Sequence, residues 1–284
     1  MRNLKPYNED TISFFDEVVS ARRNSVADPE FLTRIVTYRP GLILAYTAYD
    51  ECCAAQSLMT ARALGHVNPT KGDLLKLYSY KANVFKKLQL KLTTDENDRL
   101  LNTCQNCTIN EINSFDHILP KDEFSEFAVN PKNLFPSCTQ CNGYKSYVWQ
   151  QGGIGLFLNL FLDILPQEQY LFANVIVGDE VQINYTIENR FGMDAGLFAL
   201  IVSHYGRLHL PSRFSKNSDS IITELINSIL SIKNELDKEK IKQVIIGKAE
   251  RDLNKFGYNY WKAITVIALI NSEDFYQFAS DQED

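Results

Sequence analysis

Four cysteines in two Cys-x-x-Cys pairs constrain the fold of this chain more than any other sequence feature. Cys104 and Cys107 form the first pair, and Cys138 and Cys141 form the second pair about thirty residues later. Two such pairs can place four thiolates around one Zn²⁺ in a closed tetrahedral site that leaves no position for water. We therefore expect a structural zinc that helps to fold a segment too small for its own core. Two disulfides, or unliganded core cysteines, are the alternative.

The residues between and after these pairs predict a small α+β element. Residues 114–119 are expected to form a short strand that a proline ends, and residues 133–135 a second strand. A helix is predicted from residue 139 to about residue 151. Asn142 and Lys145 are three residues apart and would therefore share one face of that helix.

Residues 100–150 resemble an HNH endonuclease domain of the ββα-metal superfamily, in its zinc-stabilised four-cysteine form. The family strand motif is an acidic residue or histidine followed by His, an apolar residue, any residue and Pro. Asp116-His117-Ile118-Leu119-Pro120 fills every position of it. Asn133-Leu134 matches the middle of the family pattern, and Cys138-x-x-Cys141-Asn142-x-x-Lys145 matches the start of its helix. The resemblance covers less than a fifth of the chain.

The resemblance implies a role for each motif residue. His117 would be the general base, because a neutral imidazole suits proton abstraction near pH 7. Asp116 and Asn142 would be oxygen ligands of a catalytic Mg²⁺ or Mn²⁺, which polarises the scissile phosphate and stabilises the leaving oxygen. Asn133 would tie the loop and orient the imidazole, and Lys145 would contact a phosphate.

The rest of the chain is predicted as a mostly helical frame around this insert. We expect a helical region over residues 1–99, the nuclease core over 100–151, and a mostly helical region over 152–284 with a β-hairpin near 170–187. More local predictions are separate helices over 28–38 and 41–63, one helix over 73–92, a buried helix over 154–165, and a solvated acidic tail over 271–284.

The net charge of −6 is unusual for a protein that binds DNA, because cationic side chains supply much of that affinity. The charge is unevenly spread, however. Residues 71–91 hold six lysines against one acidic residue, a local charge of +5. This stretch is a candidate face for the DNA backbone, and an ordinary solvated helix face is the alternative.

These features predict a metal-dependent endonuclease that hydrolyses DNA phosphodiester bonds, with RNA as an alternative substrate. A non-catalytic four-cysteine module that binds nucleic acid or a protein is the competing hypothesis. A zinc deaminase is excluded, because those enzymes need His-x-Glu and His117 has no Glu at the second following position.

The flanking regions contain no recognisable DNA-reading motif, which favours docking to a protein partner. We expect an effector of an anti-phage defence system with a partner such as an ATPase of the same operon. A homodimer is a further expectation, since one HNH site cuts one strand. We see neither a signal peptide nor a membrane-spanning segment, and thiolates kept for zinc favour the cytoplasm.

Overall fold

The computed structural model describes residues 1–282, in which helices predominate and the strands form small antiparallel pairs. The predicted mostly α fold with a small α+β part is therefore confirmed. The described chain forms two compact units: residues 3–106 with 110–163, and residues 1–2 with 107–109 and the chain from 164 onward. The three-part division at 99/100 and 151/152 stays a prediction, and residues 283–284 of its last segment lie outside the described residues.

The first unit carries the ββα arrangement expected from the sequence. Its strands β1 and β2 pair antiparallel, with Asp116 opposite Phe135 and His117 opposite Leu134, and a short helix follows β2. In chain order its elements are α1 (Thr11–Ser20), α2 (Phe31–Ala54), α3 (Thr70–Leu77), α4 (Asn83–Thr93), β1 (Ser114–His117), β2 (Leu134–Ser137), α5 (Thr139–Lys145), β3 (Gln150–Gln151) and β4 (Ile154–Gly155).

One long helix replaces the two helices predicted over residues 28–38 and 41–63. α2 continues through Pro40, although a proline removes one backbone hydrogen bond of a helix interior. The carbonyl that loses its donor belongs to Val36, whose side chain is exposed, so water can solvate that part of the helix. The buried face of α2, from Ile35 to Tyr49, continues across the proline and keeps the helix together.

The single helix predicted over residues 73–92 is instead two helices, α3 and α4. The connecting residues 78–82 are extended at both ends, at Tyr78 and Ala82. The rings of Tyr78 and Tyr80 leave the helical path and pack edge-on against His117 and Phe115 of β1, with centroids 4.7 and 5.7 Å apart. Tertiary packing of two aromatic rings therefore overrides local helix propensity.

Two further helix predictions are wrong. The predicted buried helix over residues 154–165 is absent. β4 occupies the start of this range, and turns follow around Asn159, whose backbone N–H donates to the Asp163 carboxylate at 2.7 Å. Such side-chain bonds compete with a helix for the backbone. The helix predicted to reach residue 151 ends at Lys145, because Ser146 has a positive φ of 52° that stops it.

The N-terminal helices enclose the ββα element within the first unit. On one side, Phe85 of α4 contacts the rings of Phe115 and Tyr78. On the other side, Tyr46 and Tyr49 of α2 pack against Phe127 in the loop between β1 and β2. These buried aromatic contacts, rather than the small sheet itself, form the apolar core that supports the strands.

The second unit confirms the predicted hairpin and is otherwise helical. The hairpin pairs Leu171 with Ile187 and Val177 with Val181. A short helix containing the buried Phe275 replaces the solvated tail predicted for the described part of residues 271–284. In chain order its elements are β5 (Leu171–Val177), β6 (Val181–Ile187), α6 (Ala195–Arg207), α7 (Leu210–Lys216), α8 (Asp219–Ile232), α9 (Lys238–Phe256), α10 (Trp261–Asn271) and α11 (Glu273–Ser280). Across residues 1–282, no helix combines the length and apolarity needed to cross a bilayer.

Candidate active site and candidate zinc centre

The four cysteines of the two Cys-x-x-Cys pairs converge on one buried point. The sulfur atoms of Cys104, Cys107, Cys138 and Cys141 all lie within 4.8 Å of one another, and none is in a disulfide. A tetrahedral zinc site with Zn–S bonds of about 2.3 Å places its sulfurs about 3.8 Å apart. The donor set and its spacing therefore fit a closed, structural metal site.

Hydrogen-bond donors point at these sulfurs, as is typical of thiolate ligands. The backbone N–H of Cys141 lies 3.3 Å from the Cys138 sulfur, and that of Ile109 lies 3.5 Å from the Cys107 sulfur. The side-chain amide of Asn110 is 3.8 Å from the Cys138 sulfur. Donors of this kind stabilise the negative charge of a thiolate, the form in which cysteine binds metal.

Asp116 and Lys145 form a buried ion pair between β1 and α5. The Lys145 ammonium donates to Asp116 Oδ1 at 2.8 Å and also to the backbone carbonyls of His117 and Ile118, at 2.5 and 3.3 Å. An ammonium group has three protons, so these three acceptors use its full donor capacity. Burial raises the pKa of the Asp116 carboxyl, and the charge of Lys145 opposes that shift.

His117 is held by one ring nitrogen. Its Nε2 lies 2.9 Å from the carbonyl oxygen of Ala128, and because a carbonyl only accepts, Nε2 carries the proton. The other nitrogen, Nδ1, is then the lone-pair atom of a neutral imidazole. Burial lowers the pKa of His117 to about 3, so the ring is neutral near pH 7. The Tyr78 ring packs edge-on against it.

Asn133 fixes the loop between β1 and β2 from inside. Its side chain accepts from the Leu119 N–H at 2.8 Å and donates to the carbonyls of Leu119 and Phe127, at 2.9 and 3.2 Å. The residue is fully buried. Because Phe127 precedes Ala128 in the chain, this clamp also sets the position of the carbonyl that orients His117.

Asn142 lies on α5 and is half-buried. Its side-chain amide nitrogen donates to the Phe115 carbonyl at 3.1 Å, which fixes the amide plane and leaves the amide oxygen as the atom that could bind a metal. Asp116 offers a carboxylate of which Oδ1 is already bonded to Lys145. The chemistry of this oxygen donor pair fits a hard divalent ion, although Lys145 shares the carboxylate.

The lysine-rich stretch is only partly free to bind an anion. Lys76 pairs with Asp28 and Asp73, and Lys91 pairs with Glu9. No ion pair within the described chain involves the other four lysines of residues 71–91. Those four are Lys71, Lys81, Lys86 and Lys87.

The sequence motifs do not predict two residues of this region: Tyr78, which contacts His117, and Lys121, which contacts Tyr78. Tyr78 comes from the connection between α3 and α4, about forty residues before His117, so only the tertiary fold brings the two rings together. Lys121 follows the motif proline directly, and its ammonium lies 4.9 Å from the centroid of the Tyr78 ring. The sequence signal for Lys121 was its position one residue after the strand motif.

Comparison with known proteins agrees with this geometry. Residues 104–147 match the family model described as HNH endonuclease. Protein ea31 of Escherichia phage lambda is 27% identical over 287 residues, and the alignment covers 91% of each chain. No solved structure matches the chain significantly. The matched segment includes both cysteine pairs, the Asp116–His117 strand and α5. Residues 104–147 therefore form an HNH endonuclease domain.

Proposed function

We propose that this chain is a metal-dependent endonuclease that hydrolyses phosphodiester bonds of DNA, with His117 as the general base. The observation that carries the proposal is the bond from His117 Nε2 to the Ala128 carbonyl at 2.9 Å. It fixes the tautomer and leaves Nδ1 as the basic atom. The imidazole is neutral near pH 7, so the lone pair of Nδ1 is available to an attacking water, and the negative charge of a bound phosphodiester would raise the pKa of the ring from its low value in the free protein.

Asp116 and Asn142 are the residues that would hold a divalent ion, Mg²⁺ or Mn²⁺. Lys145 is bonded to Oδ1 of Asp116, so the carboxylate would bind the ion through Oδ2 and Asn142 would bind it through its amide oxygen. When bound, such an ion polarises the scissile phosphate and stabilises the leaving oxygen. One carboxylate and one amide form a weak site, so we expect the substrate phosphate to complete it.

Lys145 is better explained as a positioning residue than as the phosphate contact expected from the sequence. Its three donors bond to Asp116 and to the carbonyls of His117 and Ile118, all inside the protein. It therefore holds the end of β1 against α5 and favours the charged form of the buried Asp116, against the effect of burial, which raises the pKa of that carboxyl. Asn133 has a related role, because it fixes the loop that bears the Ala128 carbonyl.

The four-cysteine cluster would hold a structural Zn²⁺. All four sulfurs are buried, so water has no place in the cluster and the zinc would take no part in hydrolysis. Its function would be to hold α5, which begins beside Cys138, in place next to β1.

A plasmid-nicking assay tests the proposal. Wild-type protein with Mg²⁺ or Mn²⁺ should convert supercoiled plasmid to the nicked form and leave 5′-phosphate ends. Brief exposure to EDTA should stop the reaction, and added Mg²⁺ should restore it, with the zinc content unchanged throughout. Wild-type protein with its zinc in place that leaves DNA intact under both metals would contradict the proposal. Cleavage of RNA but not of DNA would show that RNA is the substrate.

A non-catalytic four-cysteine module remains the second candidate, because Lys145 already neutralises Asp116 and the whole chain is acidic. That hypothesis predicts binding of nucleic acid or protein that survives the loss of Asp116 and His117 but not the loss of Cys104. The nuclease hypothesis predicts that cleavage disappears with Asp116 or His117.

A role as the effector of an anti-phage defence system, with an ATPase partner in the cytoplasm, is a further part of the proposal. The relative in phage lambda aligns over 91% of the chain, so the aligned region includes most of the helical second unit, where we place the partner-binding surface. Purification together with neighbouring gene products tests this role. Full activity of an isolated monomer on bare DNA would count against it, and a homodimer is expected if both strands are cut.

A further inference from the structure

Lys145 and Lys121 are cations near His117, and they differ in whether protein acceptors already use their hydrogen-bond donors. Lys145 uses all three donors on protein acceptors. Lys121 forms no ion pair within the described chain, and its ammonium rests 4.9 Å from the centroid of the Tyr78 ring. A phosphodiester carries a full negative charge beside the general base, so the unsaturated cation is the one that can neutralise it.

Lys121 is held close to the imidazole from two sides. The Tyr78 ring centroid is 4.7 Å from that of His117, so the Lys121 ammonium lies at most about 9.6 Å from the imidazole centroid. The backbone two residues earlier is anchored, because Leu119 bonds to Asn133 through both its N–H and its carbonyl. The flexible four-carbon stem of lysine then lets the ammonium adjust to a bound phosphate from its place over the ring.

The acidic residues that follow Lys121 do not neutralise it. Glu123 accepts a hydrogen bond from the indole of Trp149 at 3.1 Å, and Asp122 is exposed without an ion pair to Lys121. Lys121 itself is half-exposed. A cation–π contact at a partly exposed site is weak and uses only one side of the ammonium, so Lys121 can bind a phosphate while it stays beside the Tyr78 ring.

We infer that Lys121, held over Tyr78, contacts the DNA backbone phosphate next to His117, and that Tyr78 is its positioning residue. The inference rests on the proposed nuclease function and assigns the phosphate contact of that site to Lys121 rather than Lys145. Tyr78 belongs to residues 78–82, the connection between α3 and α4, so the N-terminal helices supply part of the nucleic-acid surface.

Affinity for a fluorescent 20-base-pair DNA duplex, measured by anisotropy over a range of salt concentrations without added divalent metal, tests the inference without relying on cleavage. Lys121→Gln should weaken binding about tenfold and reduce the slope of log affinity against log salt by about 0.9, the loss of one phosphate contact. Lys121→Arg should restore most of the affinity. Tyr78→Leu should weaken binding in the same direction, whereas Tyr78→Phe keeps the ring and should bind like wild type.

Lys262→Gln is the matched control, because Lys262 is also an exposed lysine that contacts an aromatic ring, that of Trp261, and lies in the second unit. It should bind within about twofold of wild type. The inference is overturned if Lys121→Gln binds as tightly as Lys262→Gln, or if wild type does not bind DNA at all.

A nicking assay with Mg²⁺ on the same proteins separates the two proposals. Wild type that binds in a Lys121-dependent way but never cuts would contradict the nuclease function and leave the phosphate contact standing. Wild type that cuts, with Lys121→Gln cutting equally fast and binding equally well, would contradict the contact alone.

Discussion

The candidate zinc centre (the zinc centre) and the candidate catalytic centre (the catalytic centre) lie in the same short HNH segment but are built on opposite principles. At the zinc centre, all four side chains are of one type and all four sulfurs meet at one point. At the catalytic centre, neighbouring residues have different partners. Asp116 is bonded to Lys145 inside the protein. His117 bonds to the Ala128 carbonyl through Nε2, and its Nδ1 is available.

The difference shows which kind of site can be recognised from spacing alone. A closed metal site is determined by its ligands, so the two Cys-x-x-Cys pairs define it. A catalytic site depends on which polar atoms remain unsatisfied after folding, and that depends on contacts from distant elements. Asp116 and His117 are adjacent in the sequence, but Asp116 is bonded to Lys145 of α5, whereas Nδ1 of His117 is available.

The largest effect is expected from removal of one zinc ligand. Cys104→Ser should reduce bound zinc, measured by atomic emission, from one per chain to near zero. Apparent zinc-binding free energies in small zinc domains are about 10–16 kcal/mol, which is as large as the stability of a whole domain. Cooperative thermal unfolding of the first unit should therefore be lost. Cys52→Ser is the control, because Cys52 lies outside the cluster and this variant should keep its zinc. Equal zinc content and equal thermal unfolding in the two variants would contradict a metal centre at the four cysteines.

Loss of Lys145 should destabilise the catalytic centre without emptying the zinc centre. Lys145→Met leaves the buried Asp116 carboxylate unpaired and should lower the free energy of unfolding by about 4 kcal/mol in urea titrations. Lys132→Met is the control, because Lys132 forms an ion pair with Asp50 at 2.7 Å that is partly exposed. That pair should contribute less than about 1 kcal/mol. Similar losses for both variants would show that Lys145 does not organise the site.

The two asparagines of the site should separate stability from activity. Asn133→Ala leaves buried backbone groups of Leu119 and Phe127 without partners and should cost about 3 kcal/mol of unfolding free energy. Asn142→Ala loses one half-buried bond to Phe115 and should cost about 1 kcal/mol, but its nicking rate should fall at least tenfold because a proposed metal ligand is lost. A full nicking rate in Asn142→Ala would remove Asn142 from the metal site.

The sequence predicts the ββα segment well because local motifs determine it. The two short strands, the hairpin near residues 170–187 and the convergence of four cysteines all follow from short-range patterns, although β1 ends at His117, before the predicted end at residue 119. The prediction is less accurate where contacts between residues distant in the sequence determine the local structure. Pro40 lies within α2 at an exposed position, while the buried face of the helix continues past it, and the local rule that proline ends a helix does not predict this.

The same reason explains what was missed at the catalytic centre. Residues 78–82 leave the helical conformation because the rings of Tyr78 and Tyr80 pack edge-on against His117 and Phe115 of β1. Lys145 was expected to contact phosphate, and its sequence position gives no indication that three carbonyl and carboxylate oxygens surround it. Lys121 and Tyr78 come together only in the folded chain.

The rate at which His117→Ala nicks plasmid in a single turnover tests the central claim most directly. Loss of a general base should slow the reaction by about 10²–10⁴-fold, while the protein stays folded and retains one zinc per chain. His66→Ala, a histidine outside the HNH segment, should nick at the wild-type rate. A His117→Ala protein that is folded, retains its zinc and nicks as fast as wild type would contradict the assignment of His117 as the base.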